Sequence, residues 1–233
     1  MPFVNGKFYM NPAYGQAAER ARAAHAASDH AAANPQDQDA HWVTIGGKHV
    51  LIQEMQPGQA QHGTQKLTKK SENAILESSL TAEQAVAFED AVADAGKKYG
   101  INPNILVGIA VKESSLRPGY ETNLGGSAAG LMGLTDRVQN AYGLNNQVAM
   151  GSSPTAITCQ VYVAASYLRD LMHDPVPSSH PSHQLEIALG YYRSNRHDVN
   201  RAIASKGGYN AMLKLRYQNE ALGSYIKTVE SYQ

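Results

Sequence analysis

One acidic side chain stands out for its setting. In "ILVGIAVKESSLRPG", Ile105 to Gly119, Glu113 recurs with Ile105 and Ile109 at i, i+4 and i+8, so a carboxylate falls on the apolar face that Leu106 and Ala110 extend. Burial there opposes ionisation, raises the pKa and keeps the group protonated near neutrality, which is what a general acid requires. The same spacing also lets Glu113 close the stripe half exposed, or paired with Arg117 four residues on. Other reactive residue types are less organised. His180-Pro-Ser-His183, with Asp174 nearby, lies in a Pro/Ser-rich loop and not on a helix that would present a ligand pair, so no metal is expected. The single cysteine, Cys159, excludes an internal disulfide and sits in an apolar helical run, where it reads as a buried thiol and not a nucleophile. P-loop and dinucleotide-binding patterns do not occur, and no cofactor is implied.

The elements around Glu113 read as helices. Asn102 and Pro103 form an N-cap and first-turn proline ahead of "NILVGIAVKESSL". Before them, Thr81-Ala-Glu-Gln84 is a capping box; Ala85, Phe88, Val92, Ala95 and Tyr99 then mark one face until Gly100 stops the helix. "NLGGSAAGLMGLT" is a Gly-rich loop whose backbone can lie close to a ligand. "SSPTAITCQVYVAASYLRDLM" starts at Ser-Pro and carries Ile157, Val161, Ala164, Leu168 and Leu171 at helical spacing. "QLEIALGYYRS" and "GGYNAMLKLRYQNEALGSYIKTVESY" supply later helices, with no second set of strands expected. The fold class is therefore mainly α, with a helical domain over 71–233 and, over 1–70, an appendage that ends in the polar, Gly- and Gln-rich linker "QPGQAQHGTQKLTKKS". Within the appendage, Trp42, Val43 and Ile45, then Val50, Leu51 and Ile52, flank Gly46-Gly47 as a β-hairpin with a two-residue turn.

Composition narrows the partners. The 233 residues are 42% hydrophobic and 17% charged, and no apolar run approaches the ~20 residues that cross a bilayer, so no membrane insertion is expected. Twenty basic and twenty acidic residues cancel, which gives no support to nucleic acid as a partner. The N-terminus lacks the charged, apolar and small-residue regions of a secretory signal, so Sec-type export is not expected.

Several blocks in order, over roughly residues 82 to 232, closely resemble the lytic transglycosylase branch of the lysozyme-like superfamily. Glu113-Ser114 matches the catalytic Glu-Ser that ends an Ile/Leu-rich helix. Gly130-Leu131-Met132 matches a Gly-Leu-Met-Gln loop, Tyr167-Leu168 an Ala-Tyr-Leu helix, Tyr192 the tyrosine of an Ala-Tyr-Asn-Ala-Gly segment, and "GSYIKTVESY" the closing helix. Departures accompany the match. Gly133 replaces a glutamine that contacts the sugar, Arg193 an asparagine and Asn195 a glycine, and Glu220 lies one place away from the usual glutamate of the closing helix, at Ala221.

The resemblance implies that peptidoglycan glycan strands are cut between N-acetylmuramic acid and N-acetylglucosamine, with one glutamate, Glu113, as both acid and base and a 1,6-anhydro end as product. It is an exception to the two-carboxylate rule of glycoside hydrolysis, and Glu121 and Asp136, the nearest other acids, match no catalytic position of the family. By the same resemblance Ser114, Ser127, Met132, Gly133 and Tyr192 are candidate substrate contacts; from the residues alone, Tyr192 also suits packing beside Tyr191, and Met132 suits gap-filling. A chain without an export signal that acts on the wall points to a bacteriophage or prophage enzyme carried on the virion, with virion or tail proteins docked through residues 1–70. A hydrolytic goose-type muramidase, and a virion or tail structural protein of little activity, are the alternatives.

Overall fold

The computed structural model describes residues 66–120 and 128–233 and, ahead of them, the backbone of two strands. These strands, β1 (Ala40–Ile45) and β2 (Lys48–Gln53), pair antiparallel from Ile45↔Lys48 to Ala40↔Gln53, with Gly46-Gly47 as the two-residue connection between them. The hairpin expected from the turn chemistry is therefore present.

The body starts earlier than its polar sequence suggests. Helix α1 (Lys69–Leu76) is capped by Thr68, whose side chain accepts from Ser71 N. Thr68 N donates to Asn104 Oδ1 (2.8 Å), Thr68 Oγ1 donates to the Tyr232 carbonyl (2.7 Å), and Asn104 Nδ2 donates to the Lys66 carbonyl (3.2 Å). Residues 66–70, which read as linker, are thus tied to the helix that carries Glu113 and to the end of the chain. Lys66 is the first of the described residues of the helical body.

Helix α2 (Ala82–Tyr99) carries both bonds of the Thr81/Gln84 capping box and ends on Gly100 at φ 68°. Helix α3 (Pro103–Ser114) starts on Asn102, whose side chain accepts from Asn104 N. Every residue from Pro103 to Ala110 is buried, because α1, α2, α6 (Pro154–Met172) and α11 (Leu222–Glu230) all pack on it. The helix is apolar all round and occupies the middle of the core, so its stripe is broader than the i, i+4 spacing alone implies. At Gly108 a Cβ would lie 2.6 Å from the Val229 carbonyl oxygen, so only glycine lets α11 approach this closely.

Between these lie α4 (Asp136–Ala141), α5 (Asn146–Ala149), α7 (Pro175–Ser178), a 3-10 turn (Pro181–His183), α8 (Gln184–Arg193), α9 (Arg196–Ala204) and α10 (Gly208–Lys214). Helices α2 and α6 form the most extensive helix pair, and α8 packs on both α6 and α11. Against expectation the body also holds two minimal antiparallel ladders, β3 (Ala128–Ala129) with β4 (Leu134–Thr135) and β5 (Arg216–Tyr217) with β6 (Glu220–Ala221). Two residues per strand are too few for an alternation pattern. The second ladder turns through Gln218 (φ 49°) and Asn219 (φ 66°), both left-handed as a tight two-residue hairpin turn requires.

Candidate active site

Glu113 lies in the last turn of α3 and is 8% exposed. Its Oε1 accepts a hydrogen bond from Tyr225 Oη (2.8 Å), its Oε2 one from Arg193 Nη1 (2.9 Å). Burial pushes the Glu113 pKa up, against the opposing pull of the Arg193 charge and the Tyr225 hydroxyl. Arg117, the i+4 candidate, turns elsewhere: its Nε donates to the Ser114 carbonyl (3.0 Å) and its guanidinium lies over the Tyr120 ring. Tyr225 reaches the carboxyl because it sits one turn before Val229, where α11 presses on Gly108. In the sequence it shares an inward face with Leu222, Ile226 and Val229, a sign of burial that does not name its partner.

The loop joining β3 to β4 is pinned against the same helix end. Ser114 Oγ donates to the Leu131 carbonyl (2.9 Å), Tyr192 Oη donates to the Met132 carbonyl (2.7 Å), and Leu131 N donates to Gln160 Oε1 (2.7 Å). Gln160 is fully buried on α6, and its Nε2 donates to the carbonyls of Val148 (3.0 Å) and Gly151 (2.9 Å). At Gly130, φ 75°, a Cβ would fall 1.8 Å from the Ala149 carbonyl oxygen. At Gly133, φ 60°, it would fall 2.7 Å from Glu113 Oε2 and 2.9 Å from Glu113 Cβ and Cγ. Both glycines are required by close approach and by a left-handed backbone together.

This geometry revises the expected roles. The hydroxyl of Ser114 bonds the Ala110 and Leu131 carbonyls, and the Met132 side chain is fully buried, so both build the loop and neither presents its side chain to a ligand. Tyr192 directs its hydroxyl to the Met132 carbonyl, and Tyr225 is the tyrosine bonded to Glu113. Ser127 lies outside the described residues, as does Glu121. Gln160 was missed, although a polar residue within "ITCQVYVAA" is the same kind of signal that singles out Glu113. Asp174 pairs with Arg196, and His183 stacks on Tyr209 at 3.9 Å between ring centroids.

Beside Glu113 opens a cavity of about 580 Å³, lined among others by Gly133, Tyr142, Tyr167, Tyr192, Arg193 and Tyr217. Tyr167 contacts Tyr142 edge-on (6.0 Å) and Tyr192 at a tilt (5.4 Å), so the wall is an aromatic platform with a few polar groups, the usual make-up of a ligand site. Among the described residues the one carboxylate in the lining is Asp170, which accepts from Tyr142 Oη and from Arg169, each at 2.5 Å. Glu220 lies near the Glu113 helix end; partial burial raises its pKa, but the bond from Lys112 Nζ (2.7 Å) outweighs this and holds it below the usual carboxylate value.

A buried, hydrogen-bonded glutamate at the end of a core helix, facing a Gly-rich loop and an aromatic cavity, is the arrangement that the sequence blocks imply. The model of one family, the Transglycosylase SLT domain, matches residues 90–221, more than half of the chain. The chain belongs to that family. The SLT match includes Glu113, the loop through Gly133 and Tyr192, and it ends before α11, so Tyr225 lies beyond it. No curated protein matches the chain significantly. Family membership makes this an SLT-type, lysozyme-like helical domain of the lytic transglycosylases, with peptidoglycan as the substrate class.

Proposed function

We propose that the protein cleaves the β-1,4 bond between N-acetylmuramic acid and N-acetylglucosamine in glycan strands, with Glu113 as the single acid and base. The observation that carries this reading is the Glu113 carboxyl itself, buried, bonded by Tyr225 and Arg193, and set against Gly133 at the cavity wall. Protonated Glu113 gives its proton to the glycosidic oxygen, and the C1–O bond breaks with its electron pair leaving on that oxygen. The muramyl acetamido oxygen supports the cationic C1. The muramyl 6-hydroxyl oxygen then bonds to C1 and returns its proton to Glu113, so water is neither consumed nor released. The state of Asp170, the one lining carboxylate among the described residues, supports this over hydrolysis. Both of its oxygens are already engaged, by Tyr142 and by Arg169.

Product analysis on purified glycan strands tests the reading. Anhydro ends are expected; reducing ends would indicate the muramidase reaction, and no cleavage would indicate a structural role. No helix among the described residues is long and apolar enough to cross a membrane. For residues ahead of Lys66, the paired β1–β2 edge is a surface to which a carrier such as a virion or tail protein can add strands, and we assign docking to that segment.

A further inference from the structure

The two oxygens of Glu113 are not equivalent. Oε1 is enclosed by Tyr225, itself 1% exposed, whereas Oε2 lies on the Gly133 side. Gly133 and Arg193 both line the cavity, and both adjoin Oε2, the oxygen that Arg193 grips. A guanidinium bonded to a carboxyl oxygen favours the carboxylate, the form that has no proton to give. The grip is also incompletely satisfied. Arg193 Nη2 donates to Gln218 Oε1 (2.8 Å), and the guanidinium carbon lies near the rings of Tyr217 (5.4 Å) and Tyr225 (5.3 Å). Its buried Nε has no hydrogen-bond partner among the described residues. A buried donor left unpaired disfavours the pose that leaves it so.

The other groups that favour the Glu113 carboxylate do so more weakly, Tyr225 by its hydrogen bond and Lys112 by its charge. Tyr192 on α8 and Tyr225 on α11 are held neutral by burial, with pKa values well above the ordinary phenol value. Lys112 on α3 is paired with Glu220 of β6, and the β3–β4 loop sets Gly133 against the carboxyl. Among the described residues Arg193 is the one charge bonded to it.

We propose that Arg193 is a positioning residue that sets the pH range in which Glu113 acts as an acid, and that acceptor oxygens of the bound saccharide draw its guanidinium from Oε2 before the proton is delivered. The inference rests on Glu113 being the acid. Arg193 then serves twice: it holds the carboxyl in line with the cavity at rest, and it lies close by when the carboxylate forms in the first proton transfer.

The test is the pH profile of kcat/KM on soluble glycan strands for the full chain and for Arg193→Gln, Arg193→Lys and Gln218→Ala, with melting curves for each. Without the cation Glu113 keeps its proton to higher pH, so the basic limb in Arg193→Gln moves up by about one pH unit, roughly a tenfold gain in relative activity on that limb. Arg193→Lys restores the limb toward wild type. Gln218→Ala, which frees Nη2 without touching Glu113, moves it upward by less. A raised KM with an unmoved limb would make Arg193 a sugar contact and overturn the proposal, as would a limb that moves down. Should Arg193→Gln fail to fold, unmoved limbs in both other variants overturn it equally. Full activity of Glu113→Gln would remove the underlying reading of the acid, a different failure that this comparison separates.

Discussion

Gly133→Ala probes the tightest contact of the site. The added Cβ would sit 2.7 Å from Glu113 Oε2 and 2.9 Å from its Cβ and Cγ, where ordinary contact begins at 3.4 Å. The carboxyl oxygen can swing aside, but Cβ and Cγ are anchored to α3. Loop or helix must therefore retreat by about 0.5 Å, and the loop is held by Ser114, Tyr192 and Gln160. A left-handed alanine costs about 1–2 kcal/mol and overpacking about 1–3 kcal/mol more, so a loss of about 2–5 kcal/mol is expected. For a body of this size each kilocalorie lowers Tm by about 2–4 °C. Because a 1 Å misplacement of a reacting group costs about 10²-fold, this smaller displacement should lower kcat by roughly 10- to 100-fold. Calorimetry and turnover on purified glycan strands measure the two effects. A Tm within 2 °C of wild type (~1 kcal/mol or less) together with kcat within twofold would show that the loop does not press on the carboxyl, and would refute the reasoning. Gly133→Gln carries the same strain, so restoring the family's glutamine amide at this position is expected to weaken the enzyme.

Glu113→Gln is expected to lower turnover by at least 10²–10⁴-fold with an unchanged circular dichroism spectrum, the usual range for losing an acid–base group. Because folding raises the Glu113 pKa above 4.5, its ionisable proton stabilises the fold below that pH and the benefit is lost as pH rises through the folded value. The Tm of Glu113→Gln relative to wild type should therefore climb between acid and neutral pH, and a flat difference would contradict the raised pKa. Tyr225→Phe removes a bond that favours the carboxylate, so the basic limb of its pH–rate profile should move upward; a downward move would contradict the assigned hydrogen bond. Gln160→Leu strands the Leu131 N–H and the Gly151 carbonyl, at about 1–3 kcal/mol per buried group, while the Val148 carbonyl keeps the bond from Gly151 N; the variant should melt well below wild type in calorimetry. A chain starting at Lys66 should melt higher than one starting at Glu72, which loses the Thr68 cap of α1, a feature worth about 0.5–2 kcal/mol.

Local signals carried most of the helical framework. Thr81, Asn102-Pro103 and Ser153-Pro154 start their helices through bonds and φ restrictions that lie within three residues, which is why capping chemistry is legible without a partner. The ladders at β3–β4 and β5–β6 escaped because two-residue strands have no period, and residues 66–70 read as linker because what holds them is tertiary hydrogen bonding to Asn104 and Tyr232. By itself the sequence determined that a carboxylate, Glu113, would end an apolar helix beside a Gly-rich loop, since burial and turn preference are properties of neighbouring residues. Which groups meet that carboxylate was decided only by the tertiary structure. Arg193 lies 80 positions away and Tyr225 112, and they converge because Gly108 admits the backbone of α11 and α8 packs beside it. A hydrogen bond between residues so far apart is set by the crossing of two helices, and nothing in the spacing along either one encodes it.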